Sequence, residues 1–119
     1  MAVESAAIRR GAIVLVQLPR DKARPAVVVR SDLFAELAYA AVLPITTELR
    51  PGFSVRIDIE ASEGTGLRLP SQVMVDWPQT IRLSAIGEVI GAVDLPTMHA
   101  ITRALALILG IAEGAGDEN

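Results

Sequence analysis

The sequence predicts a mostly β domain: a small, strongly bent barrel or sheet of short strands, plugged by one C-terminal helix. Three observations predict it. Short Val- and Ile-rich runs recur between turn residues as far as Val93. The apolar spacing takes a helical period only after Asp94. The chain has 119 residues, the size of a single domain, and such a chain buries about two-thirds of its unfolded surface around one core.

The elements follow in order. "AIVLVQL" (12–18) and "PAVVVR" (25–30) are continuous apolar runs separated by six residues, the pattern of a hairpin. Ser31 is placed to N-cap one or two helical turns over 31–37. "YAAVLPIT" (39–46) is a third strand. "FSVRIDIE" (53–60) is a fourth, with Val55, Ile57 and Ile59 facing inward and Arg56, Asp58 and Glu60 outward. "ASEGTGLR" is a turn with two glycines. "SQVMVDW" (71–77) is a fifth strand, stopped by Pro78, and "IGEVIGAV" is a short strand around Gly87 and Gly91. In the closing helix Pro96 suits the first turn and Gly110 the C-cap. Met98, Ile101, Leu105, Ile108 and Leu109 form its apolar stripe, with Leu107 and Ile111 off that stripe. Residues 1–112 read as one domain and 113–119 as a polar, disordered tail.

Composition narrows the function. Without Cys there is no disulfide framework and no Cys-based zinc site, and the expected compartment is the cytoplasm. The opening residues do not read as a signal peptide: the apolar run ends at Leu18 and charged "PRDK" follows. The later run Ala104 to Ala112 falls far short of the roughly 20 residues of a membrane span. Net charge is −3, but it is unevenly spread. Residues 1–30 carry six basic side chains against Glu4 and Asp21, a balance of +4, while the remainder carries five basic and twelve acidic, a balance of −7. That distribution suits a specific anion site better than a broad basic footprint.

The chemistry-bearing residues are few. His99 is the only His and sits in the helix, where a surface or partly buried role is the simpler reading. The acids are scattered and no metal cage is visible. The glycines form neither a Walker loop nor a dinucleotide fingerprint. Phe34, Tyr39, Phe53 and Trp77 are too few for a base-stacking platform. What remains is Arg24 at the mouth of a strand, the hydroxyls of Thr46 and Thr47 at the end of another, and Asp76 at the end of a third.

These residues carry a resemblance. "RRGAIVLVQLPRDKARPAVVVRSDLF", "VLPITTELR", "SQVMVDWPQTIRL" and a Leu-rich terminal helix, in that order from about Arg9 to Gly110, resemble the MazF/PemK family of toxin endoribonucleases. The resemblance implies a homodimer of SH3-like barrels, each of about five to seven short strands with a C-terminal helix. It implies cleavage of single-stranded RNA at short sequences without a metal or cofactor, because the nucleophile is the RNA's own 2′-hydroxyl. It also implies neutralisation by a cognate antitoxin, contact with operator DNA only through that antitoxin, and no membrane association. By the same resemblance the family's essential Arg falls on Arg24, its strand-end hydroxyl on Thr46, and its acidic position on Asp76. Arg20, Lys22, Thr47, Ser71, Trp77 and Gln79 are the expected RNA-binding residues. A guanidinium presents two parallel donors to phosphoryl oxygens, so the Arg24 assignment also makes physical sense.

The chain departs from the family pattern in three places. Met74 stands where some members carry a second Arg, the loop before Arg24 is short and offers only Asp21 as a carboxylate, and Trp77 follows the acid. The general base is therefore open between Asp21 and Asp76. Two other functions fit the same fold class: a CcdB-like poison of DNA gyrase, and a catalytically inactive antitoxin-binding member. The first relies on a Trp-Gly-Ile ending, whereas this chain ends "GAGDEN".

Overall fold

A computed structural model describes residues 7–17, 20, 22–52 and 55–111. The described residues form seven antiparallel strands and one α-helix: β1 Ala12–Val16, β2 Arg24–Val28, β3 Tyr39–Thr46, β4 Arg56–Ile59, β5 Ser71–Met74, β6 Gln79–Arg82, β7 Ile86–Ala92 and α1 Leu95–Ile108. The order across the sheet is β4-β5-β3-β2-β1-β7, with β6 also paired to β3.

The path curls on itself. A single 3₁₀ turn, Leu83–Ala85, joins β6 to β7, so β6, β3, β2, β1 and β7 wrap one apolar interior. Val14, Val16, Ala26, Val28, Val42, Ile81 and Ile86 fill that interior. Alternate residues of the same strands, Ile13, Val27, Leu43 and Ile45, point the other way. There they meet Ile59, Val73 and Val75 from the β4–β5 side and Met98 and Ile101 from α1. Both faces of β1 and β2 are therefore buried, which explains why these strands read as continuous apolar runs. Each fully buried Val, Leu or Ile contributes about 1.5–3 kcal/mol relative to exposure.

Bends come from bulges. Pairing of β1 with β7 shifts register twice, between Ile13 and Val14 and between Leu15 and Val16, which leaves Ile90 and Gly87 as extra residues on β7. The turn carrying Gly64, Thr65 and Gly66 packs against the first of these bulges. A Cβ on Gly66 would lie 2.2 Å from the Ile90 carbonyl oxygen, and its φ of +74° is left-handed, so only Gly serves.

Several sequence expectations need correction. The fifth strand ends at Met74 rather than Trp77, and the chain re-pairs with β3 as β6, a strand the sequence did not reveal. β5 and β6 together run along one edge of β3, interrupted by a turn in which the Trp77 N–H donates to the Met74 carbonyl at 3.1 Å. Only Ile81 of β6 is buried, so the strand has almost no apolar signature. The segment after Ser31 makes one 3₁₀ turn, Asp32–Phe34, with the Leu33 N–H donating to Ser31 Oγ at 3.1 Å. Leu109 is exposed at the helix C-cap, outside the stripe assigned to it, and Gly110 follows in the left-handed conformation. The first residues of the expected 53–60 strand and the tail 113–119 lie outside the described residues.

The basic N-terminal third divides on inspection. Arg30 is only 8% exposed, and its guanidinium donates to the carbonyls of Tyr39 (3.0 Å) and Ile8 (3.1 Å). Arg10 donates to the Val29 carbonyl and to Thr102 Oγ1, tying the N-terminal segment to α1. Arg9 lies 3.7 Å from Asp32. These three cations hold structure.

Candidate functional site

The register of the sheet builds the site. Arg24 is the first residue of β2 and pairs with Val16 of β1. Ala26 of β2 pairs with Pro44 of β3, so the same register carried two residues further sets Arg24 opposite Thr46, the last residue of β3. Thr46 in turn pairs with Gln72 of β5, and Gln72 with Asp58 of β4. One rung thus runs from Arg24 through Thr46 to a buried amide.

That rung floors an open groove of about 540 Å³. Lys22, Ala23, Arg24 and Pro25 form one wall; Thr46, Thr47 and Glu48 lie along its base; Leu67, Arg68, Leu69 and Ser71 form the other. Arg24 stands on a strand whose next residues are buried, so its backbone is held while its head reaches the groove. Lys22 and Arg24 on one side and Arg68 on the other give it a positive lining, with Glu48 as the acid among its lining residues.

The base of the groove is tightly held. Thr46 Oγ1 accepts the Glu48 N–H at 3.0 Å, which leaves its hydroxyl hydrogen to be donated elsewhere. Gln72, 5% exposed, donates to Asp58 Oδ1 at 2.9 Å and accepts the Arg50 N–H at 2.9 Å. Arg56 donates to the Glu48 carbonyl at 3.3 Å. The stretch from Thr46 to Arg50 is therefore fixed by side chains beneath it.

The far wall is held by Thr65. Its hydroxyl donates to the Glu60 carbonyl (3.0 Å) and accepts the N–H groups of Ser62 (3.2 Å) and Leu67 (3.3 Å). With Gly66 locked against β7, this sets the direction in which Leu67, Arg68 and Leu69 leave the turn.

The residues expected from sequence fall into two groups. Arg24, Thr46, Thr47, Lys22 and Ser71 all line the groove. Ser71 is buried, and its hydroxyl donates to the Leu69 carbonyl at 2.9 Å, so it shapes the wall. Asp76, Trp77 and Gln79 do not line it. Asp76 and Trp77 are exposed in and after the turn beyond β5, and Gln79 pairs with Val42, four residues back along β3 from Thr46. Arg20 is exposed with a φ of 67° and is not among the lining residues; Asp21 lies outside the described residues.

Sequence reasoning missed Glu48, Arg68 and the Gln72 clamp. Two consecutive polar residues, Ser71 and Gln72, opening an apolar strand were the available signal for the clamp. Among the described residues, no three His, Cys, Asp or Glu gather to hold a metal ion, and no helix is long and apolar enough to cross a membrane.

Comparison with known proteins completes the description. Residues 9–109 match the family described as PemK-like, MazF-like toxin of type II toxin–antitoxin system. A probable endoribonuclease MazF of Mycolicibacterium smegmatis is 34% identical over 91 residues, covering 76% of this chain and 84% of that protein. The structure of the Mycobacterium tuberculosis toxin MazF-mt6 superposes with a TM-score of 0.71 at 32% identity, covering 82% of this chain and 95% of the other. An endoribonuclease in complex with its cognate antitoxin, from a mycobacterial species, gives a TM-score of 0.74 at 25% identity, with 87% and 95% covered. With the match running from β1 through α1 and the basic groove lying inside it, this chain belongs to the PemK/MazF-like toxin family of type II toxin–antitoxin systems.

Proposed function

We propose that the protein is the toxin of a type II pair and an endoribonuclease that cuts single-stranded RNA in the Arg24 groove. The observation that carries this reading is the placement of Arg24 opposite Thr46 on two paired strands, in a groove open enough for a nucleotide chain. Attack of a ribose 2′-hydroxyl on the adjacent phosphate builds negative charge on the phosphoryl oxygens. The Arg24 fork offers two parallel donors to those oxygens, and the Thr46 hydroxyl a third. Both groups stand on strands, so little reorganisation accompanies the reaction. The RNA supplies its own nucleophile, and the reaction requires no metal.

The test is incubation of the purified protein with a long RNA in EDTA. Cuts at one short recurring sequence support the proposal. Intact RNA, with antitoxin binding retained, identifies an inactive binding member instead.

Two partners complete the reading. Leu107 of α1 and Ile111, just past its end, are 59% and 61% exposed and offer an apolar contact to a second copy, which light scattering at micromolar concentration should detect as a dimer. The antitoxin is proposed to lay an acidic segment over Lys22, Arg24 and Arg68. That complex should weaken as salt rises. The cytoplasm, where RNA and antitoxin meet, is the proposed compartment.

A further inference from the structure

We infer that Glu48 is the general base of the cleavage reaction, the group that takes the proton from the attacking 2′-hydroxyl. The inference rests on the RNA-cleaving function proposed above. Of the two carboxylates open as the base from sequence, Asp76 does not line the groove, and Asp21 lies outside the described residues. Glu48 lines the groove with Arg24 and Thr46.

Its backbone is held on both sides of its Cα. The N–H donates to Thr46 Oγ1 at 3.0 Å, and the carbonyl accepts Arg56 at 3.3 Å. The hydroxyl that would touch the phosphate thus also fixes the start of the residue that would take the proton. The Glu48 side chain is exposed, and among the described residues its carboxylate makes no hydrogen bond or ion pair. An ionised carboxylate with open lone pairs is an acceptor awaiting a donor. An acid in this groove opposes binding, because negative charge repels the phosphates that Lys22, Arg24 and Arg68 attract. A catalytic role accounts for its presence.

The chemistry balances as follows. The 2′-oxygen forms a bond to phosphorus as its proton passes to the Glu48 carboxylate. The bond from phosphorus to the 5′-oxygen breaks, and that oxygen takes its electron pair and a proton from water. The resulting hydroxide recovers the proton held by Glu48. The products are a 2′,3′-cyclic phosphate and a 5′-hydroxyl, with no net consumption of water. The charged groups sharing the groove with Glu48 are Lys22 and Arg24 on the β2 side and Arg68 before β5; Arg56 of β4 reaches its carbonyl.

The experiment is single-turnover cleavage of a short RNA by wild type and Glu48→Gln across pH, with RNA affinity measured separately and folding checked by circular dichroism. The wild-type rate should rise with pH on its acidic limb and then level. Glu48→Gln should fold, bind RNA as tightly as wild type or more so, lose about 10²–10⁴ in rate, and lose the acidic limb. Retention of the limb with a rate within about threefold of wild type would overturn the assignment. So would a slower variant that keeps the limb but cuts at a different sequence, since that outcome makes Glu48 a reader of base edges. RNA left intact by the wild type overturns the proposed function, and the inference with it.

Discussion

Two hollows of this molecule carry opposite charge. Among the described residues, the groove holds Lys22, Arg24 and Arg68 against one acid, Glu48. The second hollow, about 340 Å³, is lined by Asp58, Glu60 and Asp94 together with Ser62, Thr65 and Thr97, and by no described cation. A net charge of −3 therefore says little about what binds where. A polyanion meets attraction in one and repulsion in the other. Asp58, in the acidic hollow, accepts from the buried Gln72 amide, which in turn accepts the Arg50 N–H. The lesson is that local lining outweighs overall charge once a fold separates its acids from its bases.

The sharpest way to break this comparison is to alter the cation on the central rung. Arg24→Lys keeps the positive charge but removes the two parallel donors, and losing one well-placed transition-state donor typically costs about 10²–10³ in rate. The variant should fold normally, lose that much single-turnover cleavage, and be tolerated by cells that the wild type arrests. Arg20→Lys, outside the groove lining, should be nearly silent. Equal losses at both positions would reduce Arg24 to a general phosphate contact. No loss at Arg24 would remove it from the mechanism.

A smaller effect is expected across the groove. Arg68 sits on the wall that Thr65 and Gly66 position, too far along the chain to belong to the rung, and is assigned a phosphate contact. Arg68→Ala should weaken RNA binding about uniformly across sequences and reduce the salt slope of affinity by about 1. Cleavage at saturating RNA should stay unchanged. A changed cutting sequence in product mapping would instead make Arg68 a reader of bases.

How far the sequence could have led to this site depends on the kind of signal each part carries. The hairpin of β1 and β2 was legible because both faces of those strands are buried and the apolar run is unbroken. Arg24 and Thr46 were legible because they end apolar runs, where a polar side chain has no core role. β6 was not, since Gln79, Thr80 and Arg82 leave Ile81 alone to mark it. Arg10 and Arg30 were counted with the basic N-terminal third, because nothing in the local sequence says that their guanidinium groups satisfy distant carbonyls. Glu48 and Arg68 were hidden for a related reason. Each is an ordinary exposed charge locally, and only the pairing of β3 with β2 and β5, together with the Gly66 turn, brings them into one groove. The placement of Asp76 shows the same limit from the other side: it matched by motif, and the turn after β5 carries it away from the rung.

The smallest expected effect tests whether the acidic hollow has any part in the chemistry. Asp94 lines it and is the N-cap of α1, with its Oδ1 accepting the Thr97 N–H at 2.9 Å. Hydrogen bonds from the Thr97 side chain and then its backbone hold the Asp94 carboxyl below its ordinary value of 3.8. A folded-state value depressed in this way adds stability that is fully present above the unfolded value and is lost as pH falls through the folded one. Asp94→Ala should therefore lower the melting temperature at pH 7, and the gap from wild type should narrow by pH 3. Asp94→Asn keeps an N-cap acceptor without a titrating group, so its melting temperature should fall less steeply over the same range. Thermal unfolding followed by circular dichroism at the two pH values separates these cases. Both variants should cut RNA at the wild-type rate at neutral pH, because the carboxyl they lose lies in the acidic hollow, away from the groove. A loss of cleavage in a folded Asp94→Asn protein would mean that the two hollows are coupled through Asp58 and Gln72, and that the acidic side contributes to the reaction.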